Sequence, residues 1–162
     1  MLRRLVLNRW LAIAACVALV GVIALELVRL ADDRGLPAGT DESRAAARAV
    51  AVALTSFDHE RIDADLDRVL ALGSAEFERQ FRSAMGPAFL DGVKSRKTVS
   101  TGKVVLGPTI QRVAGDSATY LVVVNQQIVS GSSDDPAQQS RVAMMVRVST
   151  GPSAKVEHVE VI

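Results

Sequence analysis

The sequence is poor in the residues that build metal centres and disulfides. It has one cysteine, Cys16, and two histidines, His59 and His158, among 162 residues. A disulfide needs two cysteines, and a usual zinc site needs three or four cysteine, histidine or carboxylate ligands. The composition therefore excludes an internal disulfide and gives no support to a zinc site.

Neither sign of charge is in clear excess. The chain has 19 lysines and arginines against 18 aspartates and glutamates, and residues 41–162 are almost neutral. Proteins that bind nucleic acids usually carry a basic patch that neutralises phosphates. We therefore predict no nucleic-acid partner.

The short motifs of common enzyme classes are also missing. The chain contains no G-x-S-x-G, P-loop or G-x-G-x-x-G sequence, which argues against acyl transfer and nucleotide binding. Asp58, His59 and Glu60 place an imidazole between two carboxylates, but consecutive side chains point in different directions. We interpret them as a solvated turn and predict neither an enzyme nor a cofactor.

Asp63, Asp65 and Asp67 resemble the opening of a calcium-binding loop. That loop requires glycine at its sixth position and glutamate at its twelfth. This chain has Arg68 and Ser74 there instead. Acidic residues in the first turn of a helix suit the helix dipole, and we expect that role for the three aspartates.

One long apolar run stands out near the start of the chain. No charged residue occurs from Trp10 to Leu25. Adding Glu26, Leu27 and Val28 extends the segment to 19 residues, or roughly 28 Å as a helix. A cleaved signal peptide has a shorter apolar stretch, followed by a small-x-small site that is missing here. We predict a transmembrane helix over residues 10–28. The small residues that could pack against other membrane helices are Ala14, Ala15, Ala18 and Gly21.

Arginines on either side of this run indicate its orientation. Three precede it and two follow it, which favours a cytoplasmic N-terminus. The prediction is a single-pass protein of the cell membrane. Residues 1–9 form a short cytoplasmic tail, residues 29–40 a linker, and residues 41–162 an extracytoplasmic domain.

The periodicity of this domain changes from helical to extended along the chain. Helices are predicted over 42–57 and 63–72, and a third carries Phe77 to Val93, with Gly86-Pro87 expected to kink or divide it. The predicted strands are 103–113, 118–129, 141–148 and 155–162. The order indicates an α+β fold with helices on one face of an antiparallel sheet.

A set of large apolar side chains recurs at helical spacing. It is most simply the face of a helix lying on the sheet, but a curved sheet with a helix across it can also leave an apolar pocket. Both interpretations stay open. The residues are Phe57, Phe77, Phe81, Met85 and Phe89.

The layout as a whole resembles actinobacterial Mce-associated membrane proteins. The resemblance rests on the segment from Ser56 to Phe77, SFDHERIDADLDRVLALGSAEF, which has an aromatic-Asp pair, an Asp-x-Asp-Leu helix and a short cap; 97–102 and 118–126 also fit. One departure is the segment Gly151–Lys155, which lacks the tryptophan that often follows two glycines in the family. The packing of the last hairpin is therefore in question.

The resemblance implies an NTF2-like (cystatin-like), VirB8-like domain on an N-terminal anchor. It also implies a non-enzymatic accessory or scaffold subunit of an Mce-type lipid or sterol import system. The implied partners are Mce transporter subunits or related membrane proteins, with the lipid bilayer contacted through the anchor. The alternatives are a lipid-binding module that uses the apolar pocket and a VirB8-like assembly component of a secretion system.

Overall fold

The computed structural model describes residues 40–131 and 137–162. The helices are α1 (Thr40–Thr55), α2 (Ile62–Leu72), α3 (Ala75–Ala84) and α4 (Pro87–Ser95). The strands are β1 (Phe57–Asp58), β2 (Thr98–Ala114), β3 (Ser117–Ser130), β4 (Gln138–Ser149) and β5 (Val156–Val161).

The predicted transmembrane helix over 10–28 lies outside the described residues. So do Ala14, Ala15, Ala18 and Gly21, the tail over 1–9 and nearly all of the linker. Among the helices that are described, none is long and apolar enough to span a bilayer.

Local sequence signals place the helix ends. Ser74 Oγ accepts a hydrogen bond from the Phe77 N–H at 3.2 Å and caps the N-terminus of α3. Pro87 begins α4, a position where its missing N–H costs nothing. The predicted third helix is therefore divided into α3 and α4.

The strands form one antiparallel sheet in the order β1-β2-β3-β4-β5, in which each strand pairs with its neighbour along the chain. A register shift at Glu157 interrupts the β4–β5 pairing, so the last strand contains a bulge. On β4, the alternate residues Met144, Val146 and Val148 are all buried on the core face of the sheet.

The core lies between α1 and one face of this sheet. Small and β-branched residues of α1, among them Ala47, Val50 and Ala51, are fully buried in the same cluster as Val122 and Val124 of β3. Small side chains let a helix lie close to the strands, and the alanine-rich composition of α1 therefore suits its place across the sheet.

Strand β1 was not predicted. The apolar periodicity predicts a first helix that extends to Phe57, but α1 ends at Thr55. Phe57 and Asp58 instead pair with Ser100 and Val99 of β2. Ser100 Oγ donates a hydrogen bond to the Thr55 carbonyl at 2.7 Å and satisfies a group that the helix end leaves without a partner. This contact joins residues that are 45 positions apart in the chain, so no local sequence pattern predicts it.

The last hairpin is closed without the tryptophan. The Ser149 N–H donates to the Lys155 carbonyl at 3.0 Å, and the Lys155 N–H donates to Ser149 Oγ at 2.9 Å. Val156 follows directly and is fully buried. Hydrogen bonds of Ser149 and the burial of Val156 thus fix the hairpin on the core.

Candidate interaction surfaces

Four of the five residues predicted to line an apolar pocket surround one small cavity. Phe57, Phe81, Met85 and Phe89 all contribute to its wall, and Phe57 and Phe89 meet edge to face at 6.1 Å between ring centroids. Phe77 does not line it and stacks on Phe81 at 5.7 Å. The cavity lies among the helices and has a volume of about 20 Å³, room for about one water molecule. A larger ligand would require these side chains to move.

A groove on the outside of the helices adjoins this cavity. It has a volume of about 280 Å³ and lies between α2 and the α3–α4 pair, with Asp67 and Arg82 at its rim. Leu66, Phe81 and Met85 line both spaces, so these three side chains separate them. Movement of these side chains would join the cavity to the groove.

The aspartates of α2 point in different directions. Asp65 is 7% exposed, and its Oδ2 accepts the Asp58 N–H at 2.8 Å while its Oδ1 accepts from Arg68. Asp63 is exposed and pairs with Lys94 at 3.3 Å, and Asp67 faces the groove. Asp65 therefore ties α2 to β1.

The two histidines lie on different elements. His59 Nδ1 is 3.3 Å from Asp58 Oδ1, and Asp58 Oδ1 also accepts the Glu60 N–H at 2.9 Å. His158 lies on β5 opposite Arg147 and is exposed. Across residues 40–131 and 137–162, no group of three histidine, cysteine, aspartate or glutamate side chains could hold a metal ion.

One carboxyl on α3 has a shifted pKa. The Gln80 side chain donates a hydrogen bond to Glu76 Oε1 at 2.9 Å and, with Arg79 next to it, lowers the pKa of Glu76. The group is fully exposed, and these are contacts between neighbouring turns of one helix. They indicate local helix stabilisation.

The face of the sheet opposite α1 carries a second apolar surface, here called the outer patch. Its residues are in cross-strand register, Leu121 opposite Met145 and Val123 opposite both Ala143 and Leu106. None of them belongs to the core cluster. Leu106 is 55% exposed, and the other four residues are half-buried. The run of apolar residues in β3 does not show by itself that one of its faces lies away from the helices.

A polar rung borders the outer patch. Lys103, Asn125 and Arg141 lie side by side on β2, β3 and β4, and Arg141 Nε donates to Asn125 Oδ1 at 3.3 Å. Neither cation forms an ion pair with a described carboxylate, whereas Arg147 on the same face pairs with Glu157 at 3.1 Å. The rung lines a surface hollow of about 570 Å³. The polar rung could not be predicted from the sequence, because its three residues are far apart in the chain.

One protein family matches the sequence. The family described as "Uncharacterized protein Rv1363c/MT1408-like" matches residues 6–162 and confirms the resemblance stated from the sequence. Among curated proteins, none matches the chain.

Solved structures show the fold. An IcmL-like type IV secretion system protein from Legionella pneumophila has a TM-score of 0.64 and 8% identity over 75% of this chain and 91% of its own. The periplasmic domain of DotI has a TM-score of 0.57 and 18% identity over 72% and 90%. CagV, a VirB8 homolog from Helicobacter pylori, has a TM-score of 0.58 and 10% identity over 73% and 94%. These likenesses confirm the predicted VirB8-like α+β domain with helices on a curled antiparallel sheet.

Proposed function

Because the chain belongs to the Rv1363c/MT1408-like family, we propose that it is a non-enzymatic accessory subunit of a membrane assembly. The assembly is an Mce-type lipid or sterol import system, which the subunit stabilises through protein–protein contacts. The Mce connection comes from the sequence resemblance. The fold, shared with components of secretion systems, supports a part in assembly.

The outer patch is the observation that carries this proposal. A soluble domain rarely leaves a contiguous apolar area of a sheet uncovered unless something binds there. In the described residues, the helices pack against the opposite face of the sheet. A subunit that works by contact needs such a surface, whereas an enzyme needs convergent reactive groups.

The test is purification of the full-length protein from its native membrane in a mild detergent. We expect Mce or permease subunits to accompany it in amounts close to its own. An unrelated single-pass protein with the same tag is the control. Recovery of secretion-channel subunits would favour the alternative VirB8-like role, and recovery of the protein alone would overturn the proposal.

The same proposal places the protein in the cell membrane with residues 41–162 on the extracytoplasmic side. Its support is the apolar run over 10–28 and the arginines around it. An alkaline phosphatase fused after Ile162 should be active. An inactive fusion, or a mature chain that begins beyond Val28, would contradict the topology.

The cavity lined by Phe57, Phe81, Met85 and Phe89 favours a second candidate, a lipid-binding module. The cavity has a volume of about 20 Å³, so an acyl chain could enter only if the lining side chains moved. Native mass spectrometry of the full chain released from detergent should then show a retained lipid. A spectrum of the bare chain only, under conditions that keep lipid on a known lipid carrier, counts against this function.

A further inference from the structure

We propose that the outer patch and the polar rung together bind an acidic, partly apolar polypeptide segment of a partner subunit. Carboxylates of that segment contact Lys103 and Arg141, and its apolar side chains cover the outer patch. The inference rests on the proposed function, because it takes the partner to be a subunit of the same assembly.

The two parts of this surface are continuous. Asn125, at the centre of the rung, is two residues beyond Val123 on β3, so both side chains lie on the same face roughly 7 Å apart. Arg141 is likewise two residues from Ala143 on β4, so these two side chains also lie on the same face. A single extended or helical segment can therefore contact the cations and the apolar side chains at once.

Charge on this face favours an acidic partner. Lys103 and Arg141 lack a carboxylate partner in the described part of the chain, while Glu157 is already paired with Arg147. Carboxylates of an incoming segment would supply the missing counter-charge. An arginine also offers a bidentate geometry for a carboxylate, which adds specificity.

The same charges argue against a second copy of this chain. Face-to-face packing of two copies would bring together surfaces that each carry Lys103, Arg141 and Arg147. Glu160, opposite Met145, is the one carboxylate of that face that is not already paired in the described residues. Like charges across an interface are unfavourable, so a partner of different composition fits better.

The proposed recognition uses the side chains of the polar rung and the outer patch. The three strands of the rung are hydrogen-bonded to one another, so their facing backbone groups have partners. Strand β2 is itself irregular, with three register shifts in its pairing with β3 and a proline at position 108. The hollow instead offers the side-chain amides of Asn125, Gln127 and Gln139, which can donate and accept hydrogen bonds.

Charge reversal tests the surface in the full-length protein. Lys103→Glu combined with Arg141→Glu should reduce the co-purified Mce or permease subunit by at least about 10-fold, because two attractive contacts become repulsive. Arg48→Glu is the matched control, since Arg48 is an exposed arginine of α1 without an ion pair in the described residues. It should leave recovery unchanged. Arg141→Lys keeps the charge and should keep most of the binding.

The apolar part has its own pair of variants. Leu106→Glu should lower recovery of the subunit, whereas Val161→Glu should not, because Val161 lies opposite Met144 on the other face. Val161 is even more exposed, at 68% against 55% for Leu106, so both changes spare the core. Circular dichroism and membrane levels check that each variant is folded.

A photoreactive amino acid at position 106 identifies the occupant in cells. We expect a cross-link to a subunit peptide that contains at least two aspartates or glutamates. A cross-link to another copy of the chain, or to lipid alone, overturns the inference. If the wild type recovers the subunits and the charge-reversed variant recovers them equally, the inference fails and the proposed function stands. If the wild type recovers none, both fail.

Discussion

Ser43 Oγ and Tyr120 OH lie 2.5 Å apart in the middle of the domain, and both residues are fully buried. Ser43 belongs to the first turns of α1 and Tyr120 to the central strand β3. A hydroxyl buried with a hydrogen-bond partner costs little, whereas one without a partner costs much more. The pair therefore fixes where α1 lies along the strand.

Tyr120→Phe should destabilise the domain by about 1–2 kcal/mol, because it removes one side of this buried hydrogen bond. Urea unfolding of the wild type and the variant measures the difference. The double variant Ser43→Ala/Tyr120→Phe should lose less than the sum of the two single variants, since the hydroxyls are coupled. Strict additivity would mean that the contact contributes nothing.

Gly102→Ala should destabilise the domain by roughly 1–3 kcal/mol, as overpacking does. A Cβ atom at Gly102 would lie 2.7 Å from Thr55 Cβ, closer still to Thr55 Oγ1, and 3.1 Å from Val124. The end of α1 must move away from β2 to make room. Thermal unfolding of the purified protein measures the loss.

Gly92 provides the matched control for Gly102. A Cβ atom there would meet nothing within 4 Å, and the residue lies inside α4. Gly92→Ala should therefore stabilise the protein by up to about 1 kcal/mol, because alanine favours the helix. If both alanine variants shift the melting temperature in the same direction, the contact with Thr55 does not limit packing.

Asp65→Asn should destabilise the contact between α2 and β1 by about 1.5–3 kcal/mol, the range for a hydrogen bond to a charged group. The amide keeps one oxygen acceptor, but it loses the charge that attracts Arg68. Hydrogen exchange at the Asp58 amide, which donates to Asp65 Oδ2, should become faster. Asp67→Asn on the exposed side of the same helix should leave that exchange rate unchanged.

Local signals predicted much of the helical part of the fold, whereas contacts between distant residues decided the rest. Ser74 and Pro87 act on the backbone next to them, so the starts of α3 and α4 could be read from the sequence. At the C-terminal end of α1, the Thr55 carbonyl accepts a hydrogen bond from Ser100, which lies 45 positions away. A sequence pattern does not report such a contact.

The outer patch and the polar rung could not be predicted from the sequence for a related reason. The apolar run of β3 suits the central strand of the sheet. A strand in the centre of a sheet can still have one face that no helix covers. Lys103, Asn125 and Arg141 become neighbours only through the register of three strands. Register depends on bulges and turns along the whole sheet, and β2 alone has three register shifts.

Phe81→Ala should destabilise the domain by about 3–5 kcal/mol, the usual cost of removing a buried aromatic ring. The ring is 9% exposed, stacks on Phe77, and stands between the internal cavity and the outer groove. Its removal leaves a larger space that opens to the surface. Phe89→Ala should cost clearly less, because Phe89 is 36% exposed.

Denaturant unfolding of both variants checks this order, and Phe81→Leu is the control that keeps most of the volume. Equal losses for Phe81→Ala and Phe89→Ala would show that the wall between cavity and groove does not stabilise the fold. The same variants separate the two candidate functions. A scaffold should keep its partner in Phe81→Leu, because the outer patch lies on the sheet, whereas a lipid module should change the lipid that it retains.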